Sequence, residues 1–156
     1  GGLPPEVDLK AEVALGNVVR ALSAADGPDG RPLVRSAHDL SNGGLVQSLV
    51  DSALRFGIGG TFDVASAARR DCVGDHEMLL SESQARAFVA VPETALKAVF
   101  AAAEAEGVDA VRIGTTGGDM LAISGVDLLA AEGEGCGWIA SIDELRELSE
   151  TGRKYF

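Results

Sequence analysis

A chain of 156 residues is long enough to bury a core without a metal or disulfide staple, and 46% hydrophobic with 24% charged residues is the composition of an ordinary folded domain. With 24 acidic against 13 basic residues the formal net charge is −11. That makes bare nucleic acid and an anionic membrane poor partners, but it leaves a phosphorylated ligand open, because Mg²⁺ bridges carboxylates and phosphate oxygens.

Aromatic residues make up only 4%, so the core has to be built from Ala, Val and Leu. The two cysteines, Cys72 and Cys136, are far apart and belong to no Cys-x-x-Cys or Cys/His cluster. They read as free thiols of a reducing cytoplasm rather than as zinc ligands. The chain shows no signal-peptide pattern, and no apolar run reaches the about 18 residues that span a bilayer. Residues 1–7, opening GGLPP, read as a linker or cut end, and 8–156 as a single domain.

In chain order, residues 8–25 are expected to form a helix capped by Asp8. Val13, Val18, Ala21 and Leu22 share its inner face, with Leu9 and Leu15 at the edge. Asp26-Gly27-Pro28-Asp29-Gly30 is a turn, and Leu33 to His38 a short buried strand. Gly43 to Phe56 follows as a helix that buries Val46, Leu49, Val50, Ala53 and Leu54. Ile58 to Val64 is the next strand, and Ala65 to Glu77 is expected to be irregular.

Ala87 to Val91 is a strand, and Pro92 opens a helix that runs to Glu106 and stops at Gly107. Ala110 to Thr115 and Met120 to Ser124 read as a hairpin-like pair turning at Gly117-Gly118. Val126 to Leu129 is a further short strand. Ser141-Ile142-Asp143-Glu144 has the spacing of a capping box and opens the last helix. Alternating strands and helices followed by a paired unit imply an α/β fold, a layered sandwich with a mixed β-sheet and flanking helices.

The densest group of polar residues is SAHDLSNGG, residues 36–44, at a strand-to-helix junction. Backbone N–H groups at a helix start lack partners within the helix, and the helix dipole adds positive character there. Gly43 and Gly44 permit close approach of a backbone or a phosphate. Ser41 or Asn42 can cap the helix, Asp39 can accept hydrogen bonds or hold Mg²⁺, and His38 can donate to a carboxylate or phosphate. The same residues also suit an ordinary capped helix with a structural His–Asp pair. The segment is neither a Walker A loop nor a GxGxxG fingerprint.

A second group, LLSESQAR at 79–86, offers Glu82 and Arg86 four apart, the spacing of a helix-surface ion pair. Alternatively Arg86, Ser81 and Ser83 line a cleft for phosphate. RIGTTGGD at 112–119 is, alone, a strand and a turn.

Taken in order, HDLSNGGL, LLSESQAR leading into FVAVP, and GVDAVRIGTTGGDML resemble the C-terminal domain of the phosphoribosylformylglycinamidine synthase family, within the aminoimidazole ribonucleotide synthetase-like superfamily. The resemblance runs from about Leu9 to Leu148. Leu80 stands where that family usually has Phe, which implies a core position, and Thr116 where Val is common.

The resemblance implies an ATP- and Mg²⁺-dependent ligase of purine biosynthesis. Its reaction activates the formyl amide oxygen of formylglycinamide ribonucleotide as an iminophosphate, and glutamine-derived ammonia displaces phosphate to give the amidine. It implies Asp39 as a Mg²⁺ ligand and Ser41 as a phosphate contact, with Gly43 and Gly44 bringing the helix start near the phosphate. It also places His38, Glu82 and Arg86 in the nucleotide- and phosphate-binding region, either supporting the contacting residues from behind or lining the cleft wall. The implied partners are preceding domains of the same synthase, a glutaminase subunit and a small accessory subunit, in the cytoplasm, with the isolated domain inactive. A sister enzyme of the superfamily, or an interaction module without catalysis, are the alternative readings.

Overall fold

The computed structural model describes residues 7–71, 74–125 and 137–152. Cys72, Cys136, the strand expected at Val126–Leu129 and residues 1–6 of the linker expected at 1–7 lie outside the described residues. The architecture is α/β, with six helices and six strands among the described residues, one of the two sheets being mixed. No described helix is long and apolar enough to cross a membrane. The described residues fall into two compact units. One runs through Asn42 and resumes at Glu82–Ala110; the other comprises Gly43–Ser81 and the chain from Val111 on.

In the first unit, α1 (Leu9–Ser23) starts where the Asp8 carboxylate accepts from the N–H groups of Lys10 and Ala11, as expected of its cap. Val18 and Leu22 form a core cluster with Leu33 and Ala95, against which Val91, Val99, Ala102 and Val108 pack. Val13 and Leu9 were expected near this face, yet they are 64% and 73% exposed. The stripe facing α5 (Leu96–Ala105) is narrow, so only one edge of α1 is covered.

A turn at 26–32 closes on an Asp26–Pro32 bridge. The Arg35 guanidinium reaches both oxygens of Asp29, at 2.6 and 2.7 Å, and holds that carboxyl below its usual range. The chain then enters β1, which is confined to Ser36–Asp39 and pairs antiparallel with β3 (Ala87–Ala90). Pro92 precedes a single 3₁₀ turn, Glu93–Ala95, before α5 begins. Gly107 follows with φ +69°, the left-handed stop expected after the helix.

The second unit is built on a four-stranded sheet of order β4-β2-β5-β6: β4 (Gly114–Thr116), β2 (Gly60–Asp63), β5 (Met120–Ser124) and β6 (Gly137–Ser141). β2 lies antiparallel to β4 and parallel to β5, and β5 lies antiparallel to β6. The expected hairpin is therefore corrected. The Gly117-Gly118 turn joins β4 to β5, but β2 is inserted between them and takes both ladders. β6 was not anticipated. Its alternation is that of a half-buried strand, with Ala140 buried and Ile139 63% exposed.

One face of the sheet carries Phe62, Leu121, Ile123 and Ala140, all buried. Register pairs Phe62 with Ile123 and Leu121 with Ala140, so the apolar side chains align across strands. The segment expected to be irregular forms two short helices, α3 (Ala65–Asp71) and α4 (Asp75–Leu80). Asp63 Oδ1 accepts from Ala65 N at the start of α3, and the Glu77 carboxylate reaches back to Gly74 N at the start of α4.

α2 (Gly44–Phe56) packs on α4 and on α6 (Ile142–Gly152). It buries Leu45, Ser48, Leu49 and Ala53, while Val46, Val50 and Leu54 are only half-buried. The buried stripe is thus rotated by about one residue from the expected one, a shift allowed by a helix that is apolar at both neighbouring positions. Ser48 is tolerated inside because its hydroxyl donates to Gly44 O at 2.8 Å. At α6 the capping box forms as expected: Ser141 Oγ accepts from Glu144 N, and the Glu144 carboxylate accepts from Ser141 N.

Candidate functional site

The β1–β3 ladder sets the geometry of the first unit's polar residues. Its register opposes His38 to Phe88 and Asp39 to Ala87. One step beyond, Leu40 N donates to Arg86 O at 3.0 Å. The ends of the two sequence groups, HDLSNGG and LLSESQAR, therefore meet side by side through the main chain. The long stretch of sequence between them hides this from inspection, and the pairing is what brings Arg86 to the same sheet edge as Asp39.

His38 is half-buried and held within its own strand pair. Its ring stacks on Phe88 with centroids 5.9 Å apart and planes 17° from parallel. Nδ1 lies 2.6 Å from the Asp39 carbonyl oxygen. A carbonyl only accepts, so Nδ1 carries the proton in this arrangement. The same nitrogen is 3.5 Å from Asp39 Oδ1. The Asp39 side chain is 74% exposed, and Ser41, two residues on, is exposed as well. An exposed carboxylate is a hard oxygen ligand of the kind Mg²⁺ takes, and an exposed hydroxyl is a donor of the kind a phosphate oxygen accepts from. Among the described residues no group of three or more His, Cys, Asp and Glu side chains gathers at one point.

The segment 82–86 is not helical, so the expected i,i+4 spacing of Glu82 and Arg86 on a helix does not apply. Arg86 Nη1 donates instead to Ser83 Oγ at 3.3 Å, and Glu82 is exposed. Ala85 has φ +55°, the only described non-glycine residue in the left-handed region. Its N–H donates to Glu12 Oε1 on α1 at 2.8 Å. Neither Glu12 nor Ala85 was singled out from the sequence. An alanine in this conformation has no compositional signature, because the residue type that announces it is glycine.

Gly43 and Gly44 belong to the second unit. Both are left-handed, with φ +75° and +65°, and Gly43 is the N-cap of α2. This corrects the expectation that Ser41 or Asn42 caps the helix. Gly44 has a physical need to be glycine. A Cβ there would lie 2.7 Å from Leu79 O and 2.8 Å from the Leu80 carbonyl carbon. The close approach at this residue is therefore that of the α4 backbone. Leu80, expected in the core, is 48% exposed, while its neighbour Leu79 is 1% exposed. The last turn of α4 presents Leu79 inward, which turns the next side chain out.

Three comparisons bear on this arrangement. A family model described as AIR synthase related protein, C-terminal domain, matches residues 1–124. The chain is 43% identical over 125 residues to the phosphoribosylformylglycinamidine synthase subunit PurL of Nocardioides sp., a match covering 80% of this chain and 15% of that protein. It is 40% identical over 157 aligned positions to the PurL of Renibacterium salmoninarum, covering 100% of this chain and 18% of that protein.

Among solved structures, a chain of "PurLQS from Thermotoga maritima" matches with TM-score 0.69 at 17% identity, over 89% of this chain and 22% of that one. "T. maritima PurL complexed with ATP" matches with TM-score 0.57 at 16% identity, over 72% of this chain and 19% of that one. At those identities the structural likeness concerns the fold. The chain spans less than a fifth of the length of these curated relatives.

Proposed function

The chain belongs to the family of AIR synthase related proteins, C-terminal domain, and on that premise we propose that it is the C-terminal domain of a phosphoribosylformylglycinamidine synthase. The observation that carries this reading is 40% identity to a PurL subunit along the whole chain. The proposed reaction converts formylglycinamide ribonucleotide to its amidine with ATP and glutamine-derived ammonia, in the cytoplasm. The proposed partners are preceding domains of the same synthase, a glutaminase subunit and a small accessory subunit. The likeness in fold to a chain of the Thermotoga PurLQS structure supports that setting.

Within this chain the proposed roles follow the geometry of the first unit. Asp39 holds Mg²⁺ through its exposed carboxylate, and the Ser41 hydroxyl donates to a phosphate oxygen. Bound Mg²⁺ supplies charge neutralisation at the phosphate oxygens. Arg86, laddered to Leu40, offers a guanidinium to the same anionic ligand. His38 keeps the end of β1 in place through Phe88 and the Asp39 carbonyl, and Glu82 stands at the cleft wall. For Gly43 and Gly44 the phosphate role rests on the motif alone, since packing inside the second unit already calls for glycine at Gly44. The isolated domain is proposed to be inactive.

The test is a chimera in which this chain replaces the matching segment of the Nocardioides PurL. It is expected to form amidine from formylglycinamide ribonucleotide, ATP and ammonia. Asp39→Ala in the chimera is expected to lower kcat by about a hundredfold or more, the range for loss of one charge-stabilising group. A folded but inert chimera overturns the reading, and unchanged turnover in Asp39→Ala removes that residue from the site.

A further inference from the structure

Glu12 sits in the first turn of α1, 73 positions from Ala85, and its half-buried carboxylate accepts the Ala85 N–H at 2.8 Å. Ala85 is held at φ +55°. For an L-residue with a Cβ this conformation is disfavoured, and such residues persist where the surroundings hold them in place. The surroundings here are specific. The next residue, Arg86, gives its carbonyl to Leu40 N and its guanidinium to Ser83 Oγ. Leu40 follows directly on Asp39. A relaxation of Ala85 to a right-handed conformation would rotate the peptide that leads into Arg86 and so redirect both groups.

We infer that Glu12 is a positioning residue, whose carboxylate locks the left-handed turn at Ala85 and thereby sets Arg86 beside Asp39 at the phosphate-binding edge of the first unit. The inference rests on the reading of Arg86 as a phosphate-side residue of the synthase. Glu12 lies outside the three motifs and acts from another element. Charge at Glu12 is not required; an acceptor oxygen at that place is. The lock therefore tolerates an amide and fails with a methyl group. It also becomes dispensable if residue 85 is free to adopt the left-handed conformation unaided, which glycine is.

The experiment uses the active chimera and four variants: Glu12→Ala, Glu12→Gln, Arg86→Ala, and Glu12→Ala combined with Ala85→Gly. Kinetics with ATP as the varied substrate are read beside amide hydrogen exchange over 83–87. Glu12→Ala is expected to speed exchange at these amides and to lower kcat/KM for ATP roughly tenfold, a loss typical of modest misplacement of a binding group. Glu12→Gln is expected to stay within about twofold of wild type, because its amide oxygen still accepts. The double variant is expected to recover most of the loss, which a merely structural role for the carboxylate would not allow.

Unchanged exchange in Glu12→Ala, or no recovery on adding Ala85→Gly, overturns the proposal. If Arg86→Ala lowers kcat/KM while Glu12→Ala does not, the positioning role fails and the reading of Arg86 stands. If Arg86→Ala is itself without effect, it is the reading of Arg86 that fails, and the positioning role goes with it. Far-UV circular dichroism of each variant separates these outcomes from loss of fold.

Discussion

Gly44 and Ala85 both hold a positive φ, for opposite reasons. Gly44, at φ +65°, begins a helix where the backbone of Leu79 and Leu80 leaves no room for a Cβ. Ala85, at φ +55°, carries a Cβ into a region that favours glycine and is held there through a hydrogen bond to Glu12. In the first case packing decides the residue; in the second a distant side chain decides the conformation. A left-handed position enforced by packing is legible as glycine. One enforced by a hydrogen bond is visible only once the fold has brought the partner across.

The largest expected effect tests the packing side of this contrast. Gly44→Ala combines the left-handed cost of a Cβ, about 1–2 kcal/mol, with overpacking against main chain, about 1–3 kcal/mol. Urea unfolding followed by circular dichroism should show a loss within roughly 2–5 kcal/mol, the sum of those ranges. A loss below that would mean that α4 shifts easily and that packing does not dictate glycine there.

A smaller effect shows what a hydrogen-bonded turn contributes without backbone strain. Ser141→Ala removes the acceptor for Glu144 N at the start of α6 and should cost about 1 kcal/mol. The Glu144 carboxyl is held below its usual range by the Ser141 N–H and then by the Ser141 hydroxyl. A depressed carboxylate contributes stability above its unfolded pKa, and loses it as pH falls through the folded one. The cap should therefore be intact at neutral pH and weaken only in acid. The stability gap between wild type and Ser141→Ala should accordingly narrow as pH drops below the ordinary glutamate range. A gap independent of pH would detach Glu144 from the cap.

The smallest effect is expected at Ala85. Replacing it with glycine relieves the left-handed cost but frees the unfolded chain, and the two nearly cancel, leaving stability within about 0.5 kcal/mol of wild type. A loss as large as that of Gly44→Ala would show that the Ala85 methyl itself packs, and would erase the contrast.

How much of this was readable beforehand follows the range of the forces involved. The caps at Asp8 and Ser141 depend on residues two or three apart, and both formed as spaced. β5 came out at its expected bounds, Met120–Ser124, because a short apolar run bounded by glycines is a local signal. The pairing of β2 between β4 and β5 was not legible, since nothing in a glycine turn says whether its two arms bond to each other. α3 and α4 were missed because each is only 7 or 6 residues long, too short for a periodic stripe. At the candidate site, the residue types of 36–44 and 79–86 were plain to see. Their juxtaposition depended on the β1–β3 register, which only the folded chain reveals.

The strand order has a consequence for how the protein is made. β2 cannot complete its ladders until residues 114–124 are available, and Gly60 pairs with Leu121. Such distant pairing is slow to find, because a long loop must close before any contact rewards it. During synthesis, β2 emerges from the ribosome well before either of its neighbours. Until then Phe62 lacks the strand that later lies against it, and a nascent chain stalled before residue 114 exposes an unpaired edge of the kind chaperones bind.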